Sequence, residues 1–204
     1  MRKQWTVYLT AFAVAISVGM WGMLLSASEG ATAKATFAGG CFWCMEEVFE
    51  GVNGVVTVTS GYIGGQVANP TYKDVSAGIT GHAESVEVLY DPSKVTYEQL
   101  LDVFWRNVDP ITPNQQFCDF GTQYRSAIFY HDEAQKQAAE ASKKTIEQSK
   151  RLHESIVTQI VAATQFYPAE EYHQDFYKKN PFRYKVYKYN CGRAQRLSEL
   201  WEKS

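Results

Sequence analysis

The sequence predicts an α+β fold with a ferredoxin-like split βαβ core, in the order β-α-β-β-α-β plus an extra helix and strand. Short β-branched segments alternate with longer amphipathic segments in that order along the chain. Two long segments show neither pattern, and loops of that length usually carry function. Of the 204 residues 45% are hydrophobic, which is enough for one domain with a core and excludes a wholly disordered chain.

The first strand and helix are predicted directly beside each other. Residues 35–38 form a short apolar run that two glycines close. A helix follows over residues 42–50, because Phe42, Met45 and Phe49 are spaced for one helical face and a glycine stands directly after the pattern. The intervening position 41 is therefore expected at the N-terminus of a helix.

The next two strands flank the first long loop. Residues 55–60 and 85–90 alternate between β-branched or apolar and polar side chains, as half-buried strands do. Residues 61–82 between them are rich in Gly, Asn and Pro, and we interpret them as a long active-site loop.

A second helix is predicted over residues 96–107, where Thr96 is a capping residue and Leu100 and Phe104 lie on one face. Residues 109–123 show no regular pattern and form the second predicted loop.

The last regular elements predicted are a strand over residues 125–130, a polar helix over 132–152 that begins at Asp132, and a strand over 156–161. Beyond them we expect an irregular C-terminal tail.

The N-terminus predicts export. A short basic stretch precedes residues 5–25, which carry no charge, and residues 31–33 form an A-x-A pattern. This is the layout of a secretory signal, although the run is also long enough to span a bilayer as a retained anchor. We assign residues 1–33 to a signal peptide or membrane anchor, and expect the rest of the chain in the periplasm or another extracytoplasmic location.

Charge and cysteine content limit the classes of function. The chain has 20 Lys+Arg against 22 Asp+Glu, and a net charge of -2 argues against nucleic acid as a partner. Four cysteines are too few for a disulfide scaffold, so they are expected to matter as chemistry.

The segment Gly39-Gly40-Cys41-Phe42-Trp43-Cys44 is the most informative part of the sequence. A cysteine at a helix N-terminus lies near unpaired N–H groups that favour the thiolate, so Cys41 is expected to be a nucleophile rather than a small buried hydrophobe. Cys44 completes a C-x-x-C pair, typical of a redox disulfide or of half a zinc site.

Around this segment the chain resembles the peptide methionine sulfoxide reductase A family. The matching motifs are Gly40-Cys41-Phe42-Trp43, Ser60-Gly61-Tyr62-Ile63-Gly64-Gly65, Asn69-Pro70-Thr71-Tyr72, Gly81-His82-Ala83-Glu84, Asp119-Phe120-Gly121-Thr122-Gln123-Tyr124-Arg125-Ser126, Tyr167-Pro168-Ala169-Glu170 and Tyr172-His173-Gln174. Several motifs in one order are more specific than any one of them. The resemblance implies that residues 35–204 are a catalytic domain that reduces the S epimer of methionine sulfoxide in peptides.

The chemistry of a sulfoxide indicates what such a site needs: a thiolate, a neutral acid to protonate the leaving oxygen, donors to that oxygen and an apolar pocket for the methyl group. The resemblance assigns Cys41 as the nucleophile and Glu84, held in a semi-apolar place with a raised pKa, as the acid. The remaining assignments are Tyr72 and Tyr124 as donors, Asp119 as the residue that orders water or the donors, and Phe42 and Trp43 as the methyl pocket.

The sequence departs from the usual family pattern at two cysteines. Cys44 stands where the family signature usually has Gly, which resembles the C-F-W-C subgroup. Cys118 is an extra thiol that we expect to be a buried hydrophobe. We expect His82 to order the loop before Glu84, and His131, His153 and His173 to be surface or supporting residues.

A sulfenic acid on Cys41 condenses readily with a nearby thiol, and Cys44 and Cys191 are the two candidates. Cys44 is close by spacing, whereas Cys191 lies in the tail, where the family often keeps its resolving cysteine. We favour Cys191 slightly, and a relay that uses both remains open.

We expect no bound cofactor or metal, an external thioredoxin-type or dithiol reductant, and a monomer. A zinc site would have to recruit Cys118, Cys191 or a histidine. The rival functions are a thioredoxin-like dithiol-disulfide oxidoreductase and a non-catalytic binding module at the membrane surface.

Overall fold

The computed structural model describes residues 31–202, so the predicted export segment lies outside the described residues except for its last three positions. Its elements are β1 (Ala33–Gly39), α1 (Phe42–Glu50), β2 (Val55–Ile63), α2 (Tyr72–Ser76), β3 (Ala83–Tyr90), α3 (Tyr97–Arg106), β4 (Gln115–Gln116), β5 (Asp119–Phe120), a 3₁₀ turn (Thr122–Tyr124), β6 (Ser126–Tyr130), α4 (Glu133–Ser149), β7 (Gln159–Ala162), β8 (Tyr167–Pro168), α5 (Phe176–Lys179), α6 (Pro181–Asn190) and α7 (Arg193–Trp201).

A six-stranded sheet forms the centre, with the strand order β7-β6-β1-β3-β2-β8. Its four central strands, β6, β1, β3 and β2, are antiparallel to one another, and β3 lies between β1 and β2 as in a split βαβ unit. Strand β7 adds in parallel beside β6, and β8 adds at the opposite edge beside β2. The predicted α+β class and ferredoxin-like core are confirmed.

Helices α1 and α3 pack on one face of this sheet through aromatic side chains. The ring of Phe37 in β1 stacks on Phe49 of α1 at 4.9 Å and on Phe104 of α3 at 5.2 Å, measured between ring centroids. All three side chains are fully buried. This contact holds α1 against the end of β1, and the position of Cys41 follows from it.

Both long loops contain short elements. Helix α2 lies in the first loop, and its N-terminus has a capping box in which Thr71 and Asp74 exchange side-chain and backbone hydrogen bonds. The second loop contains the small β4–β5 pair, in which Gln115 is opposite Phe120. Neither element has enough apolar residues for a periodic pattern.

The prediction of an irregular tail is wrong, because residues 176–201 form three helices. Helix α6 begins with Pro181 at its first turn, which suits that position. These helices are hard to predict from apolar periodicity because few of their side chains are buried. Helix α6 buries only Tyr184, and α7 buries Arg193 and Leu200. Among residues 31–202 no helix is both long and apolar enough to cross a membrane.

Candidate active site

The turn between β1 and α1 places Cys41 at the N-cap of the helix, where its carbonyl accepts the N–H of Cys44 at 3.1 Å. The preceding Gly40 has φ +79°, and a Cβ there would lie 2.4 Å from Cβ of Gln116. Glycine is therefore required for the turn and for the close approach of the second loop. The Cys41 side chain is buried and 6% exposed.

Cys41 opens into a small cavity that brings together every residue predicted for catalysis and substrate binding. Its lining comes from α1, α2, β3, β5 and the 3₁₀ turn: Cys41, Phe42, Trp43, Tyr72, Glu84, Asp119, Tyr124 and, from α6, Tyr187. The predicted residues thus lie around one thiol, although the first and the last of them, Cys41 and Tyr124, are 83 positions apart in the sequence.

Glu84 lies on β3 with its carboxyl group facing the N-terminus of α1. Its Oε2 accepts the backbone N–H of Phe42 at 3.2 Å, and the side chain is 2% exposed. Burial raises the pKa of Glu84 to about 8, with further increases from the nearby Asp119 and Cys44. The carboxyl group is therefore mostly protonated at neutral pH, as expected for a general acid.

The expectation that the helix N-terminus favours the Cys41 thiolate is not met. Burial raises the pKa of Cys41, and the hydrogen bond with Cys44 and the charge of Cys44 act in the same direction. The pKa of Cys44 is lowered, mainly by the hydrogen bond from Cys41 and also by the positive charge of Arg193.

Tyr72 and Tyr124 keep their hydroxyl protons near neutral pH. Burial raises the pKa of Tyr72 to about 12, and burial raises that of Tyr124 as well. Both rings line the cavity. The hydroxyl groups are thus available as donors to an oxygen placed near Cys41.

The aromatic wall is held by the C-terminal segment. Trp43 stacks on Phe176 with 3.7 Å between ring centroids, and its Nε1 donates to Nδ1 of His173 at 3.1 Å. His173 is 1% exposed and also packs on Phe42 at 5.0 Å. It is therefore a buried residue that fixes Trp43, which is the supporting role of the two that the sequence left open.

His82 has the structural role that was predicted for it. Its Nδ1 accepts the N–H of Gly65 at 3.0 Å, and its Nε2 contacts the carbonyl of Val67 at 2.8 Å. These bonds hold the first loop beside the strand that carries Glu84. Glu170 also holds the first loop in place, since its carboxyl group accepts the backbone N–H of Tyr72 at 2.8 Å.

Tyr187 is a cavity residue that the sequence reasoning missed. Its hydroxyl donates to Oδ2 of Asp119 at 2.5 Å, and its ring meets Trp43 edge-on at 5.9 Å. The Tyr187 hydroxyl also acts to lower the pKa of Cys41, against the effect of burial. The tyrosines at positions 184 and 187, spaced for one helical face, were the available signal.

Cys118 and Cys191 are joined in a disulfide, with 4.8 Å between their Cα atoms. The prediction that Cys118 is a buried hydrophobe is wrong: it is exposed, at the turn between β4 and β5, where the end of α6 reaches it. Cys41 and Cys44 are both buried and both free.

Within residues 31–202, one group of potential metal ligands lies close together, formed by Cys118, Asp119 and Cys191. The disulfide occupies both sulfurs, so this group offers no thiolate to a metal.

Comparison with known proteins places the chain in a family. The family model for peptide methionine sulfoxide reductase matches residues 33–204. The peptide methionine sulfoxide reductase MsrA of Listeria innocua is 50% identical over 169 residues, which are 83% of this chain and 96% of that protein.

Solved structures agree with this placement. Reduced Mxr1 of Saccharomyces cerevisiae is 37% identical, with a TM-score of 0.68 over 74% of this chain and 87% of that one. Mxr1 in complex with Trx2 is 27% identical, with a TM-score of 0.50 over 76% of this chain and 91% of that one. With the predicted thiol, acid and aromatic residues all around one cavity, the chain belongs to the peptide methionine sulfoxide reductase A family and is a peptide-methionine (S)-S-oxide reductase.

Proposed function

We propose that the cavity reduces methionine sulfoxide by attack of Cys41 Sγ on the sulfoxide sulfur. The observation that carries this assignment is the convergence of Glu84, Tyr72, Tyr124 and Asp119 on one buried thiol from four separate elements. A nucleophile beside a protonated carboxyl group and free hydroxyl donors is the set of groups that this reaction needs.

The first step requires that Cys41 lose its proton and that the sulfoxide oxygen gain one. Cys44 is the neighbouring base, since its pKa is lowered by the hydrogen bond from Cys41. Glu84 supplies its proton to the oxygen. The oxygen then moves from the substrate sulfur to Cys41 Sγ, so methionine leaves and Cys41 becomes a sulfenic acid.

The other cavity residues orient the substrate. Tyr72 and Tyr124 donate to the sulfoxide oxygen, and Asp119 holds the Tyr187 hydroxyl toward the same space. Phe42 and Trp43 surround the methyl group, and the stacking of Trp43 on Phe176 keeps that wall in place.

The sulfenic acid is resolved by Cys44 or Cys191, and a thioredoxin-type protein supplies the electrons. The buried Cys44 lies in one small cluster with Cys41, and the complex of the yeast relative Mxr1 with Trx2 supports such a donor. We further propose that the protein acts as a monomer. We also propose that it acts outside the cytoplasm, because residues 1–33 have the pattern of a signal peptide or anchor.

The function is tested by incubating the protein with a peptide that contains either epimer of methionine sulfoxide, with dithiothreitol as reductant, and measuring methionine by mass spectrometry. We expect turnover of the S epimer and no measurable turnover by Cys41→Ser, because a hydroxyl is a far weaker nucleophile at neutral pH. Activity in Cys41→Ser would overturn the assignment of the nucleophile.

The rival function is tested with insulin as a second substrate. A thioredoxin-like oxidoreductase would reduce insulin disulfides and leave the sulfoxide peptide unchanged. For location, residues 1–34 are fused to a reporter that is active only in the periplasm, and an inactive reporter would contradict export.

A further inference from the structure

The disulfide between Cys118 and Cys191 lies directly beside the cavity. The carboxyl group of Asp119 lines the cavity and is 4.0 Å from Cys191 Sγ and 3.8 Å from Cys118 Sγ. Tyr187 bonds to the same carboxyl group, and its carbonyl accepts the N–H of Cys191 at 3.0 Å, one helical turn later. One residue, Asp119, therefore separates the disulfide from the site where Cys41 is oxidised.

The two cysteine pairs differ in what can reach them. Cys41 and Cys44 are 6% and 3% exposed, beneath the aromatic residues of the C-terminal segment. A small substrate side chain fits such a cavity, but a protein thiol cannot approach these sulfurs without displacing that segment. Cys118 is exposed, and a donor can reach its sulfur from solvent.

The surroundings of Cys118 suit a protein partner. Phe120, two residues after Cys118, is 68% exposed, and Tyr189, two residues before Cys191, is 86% exposed. Exposed aromatic side chains beside a reactive group are typical of protein-binding surfaces. An open groove of about 300 Å³ lies on the other side of Cys191, lined by Phe117, Gly192 and Arg196 among others.

We propose that Cys118 is the cysteine at which the external dithiol protein attacks, and that oxidation passes from the Cys41–Cys44 pair through Cys191 to Cys118. The proposal rests on the proposed function, because the sulfenic acid on Cys41 is its starting point. Phe120 and Tyr189 form the docking surface for the donor, a thioredoxin-type protein with two thiols.

The transfer conserves electrons at each step. The Cys44 thiol, protonated in the first step, attacks the sulfenic sulfur of Cys41, the S–O bond breaks, and the Cys44 proton joins the departing hydroxyl as water. The Cys191 thiolate attacks the resulting disulfide and releases one of its cysteines. The Cys118 thiolate then attacks Cys191 Sγ, which releases the other. The products are a Cys118–Cys191 disulfide and two thiols in the cavity, as the structure has them.

The donor reverses the last oxidation. Its first thiolate attacks Cys118 Sγ, and the electron pair of the broken S–S bond goes to Cys191 Sγ. That sulfur accepts the backbone N–H of Cys118 at 3.3 Å, which stabilises it as a leaving thiolate. The donor's second thiolate then releases Cys118, so the donor leaves as a disulfide and the protein as a dithiol.

The transfer is tested in the fully reduced protein, mixed with one equivalent of methionine sulfoxide peptide and no donor. Samples are quenched with acid, alkylated, digested and mapped by mass spectrometry over time. We expect a Cys41–Cys44 disulfide that gives way to Cys118–Cys191, and no oxidation in Cys41→Ser. If Cys118 and Cys191 stay alkylated as thiols after all peptide has been reduced, the proposal is overturned.

The site of attack is tested with Cys118→Ser, assayed with dithiothreitol and, separately, with thioredoxin kept reduced by NADPH and thioredoxin reductase. We expect the dithiothreitol rate to stay within about twofold and the thioredoxin rate to fall at least tenfold. Equal thioredoxin rates in both proteins would overturn the proposal. Absent activity with dithiothreitol in the unchanged protein would instead overturn the proposed function.

The docking surface is tested with Phe120→Ala and Tyr189→Ala, and with Phe182→Ala as the matched control. Phe182 is an aromatic residue of α6 with 82% exposure, two helical turns before Tyr189. We expect a several-fold higher KM for thioredoxin in the first two variants and no change with dithiothreitol. A KM that is unchanged, or raised equally by Phe182→Ala, would contradict the docking surface.

Discussion

The two cysteine pairs show how one chain separates two kinds of redox chemistry. Cys41 and Cys44 are buried, free and surrounded by aromatic rings and a protonated carboxyl group, whereas Cys118 and Cys191 form a disulfide that reaches the surface. A sulfoxide needs a dry cavity with placed proton donors, and a protein reductant needs an accessible sulfur. One cysteine pair cannot easily meet both requirements, which is the physical reason for the proposed division between two pairs.

Removing both candidate resolving thiols should have the largest effect on this division. Cys44→Ser combined with Cys191→Ser should release about one methionine per enzyme and then stop with thioredoxin as the donor, because no disulfide forms between the remaining residues of the transfer path. Rapid-quench product measurement followed by steady-state assay checks this. Undiminished recycling by thioredoxin would mean that Cys118 or direct reduction of the sulfenic acid is sufficient.

Glu84→Gln tests only the first half-reaction, which takes place at the buried Cys41–Cys44 pair. The amide keeps the shape but cannot deliver a proton, so the first half-reaction should slow by about 10²–10⁴-fold, the usual contribution of a general acid. Glu46→Gln is the matched control, because Glu46 is also a buried carboxyl group of raised pKa, near 7, outside the cavity lining. A normal single-turnover burst in Glu84→Gln would remove it as the acid.

The protonation of Glu84 should be visible in substrate binding. In Cys41→Ser, which binds without reacting, the Kd for a methionine sulfoxide peptide should be constant below about pH 8, since burial raises the pKa of Glu84 to about 8. Above it the neutral donor is lost, and Kd should rise about tenfold per pH unit. Calorimetric titrations measure this.

The control for that titration is Cys41→Ser combined with Glu84→Gln. An amide does not titrate, so Kd should not change across the same pH range. A pH dependence of equal size in both proteins would assign it to another group.

Tyr187→Phe should have the smallest effect. Tyr187 lies between the Cys41–Cys44 pair and the Cys118–Cys191 disulfide. Loss of the hydroxyl that bonds to Asp119 should remove about 1.4 kcal/mol of transition-state stabilisation, so the first half-reaction should slow about tenfold. Tyr177→Phe is the matched control on the neighbouring helix α5, because its hydroxyl bonds to Glu50 and not to a cavity residue. Equal rates for both variants would show that Tyr187 only packs against Trp43.

The fold and the residues that line the cavity were predictable because their signals are local or are carried by family motifs. Helix α1 has the predicted bounds, and Cys41, Glu84 and Tyr124 all line the cavity as expected. The disulfide was not predictable, since its cysteines are 73 positions apart and no local pattern reports a contact at that distance. The pKa of Cys41 was predicted to be lowered by the helix N-terminus, whereas burial raises it.

The disulfide also ties the second loop to the C-terminal helices, and so closes a segment of 73 residues. In the chain-entropy model, a cross-link across that length stabilises the folded state by about 4 kcal/mol, because it restricts the unfolded chain. A cycle that breaks and remakes this bond would therefore lower and restore the heat resistance of the enzyme at every turnover. The enzyme is then most easily unfolded or cleaved by proteases when reductant is plentiful, and most durable under the oxidising conditions in which its substrates accumulate.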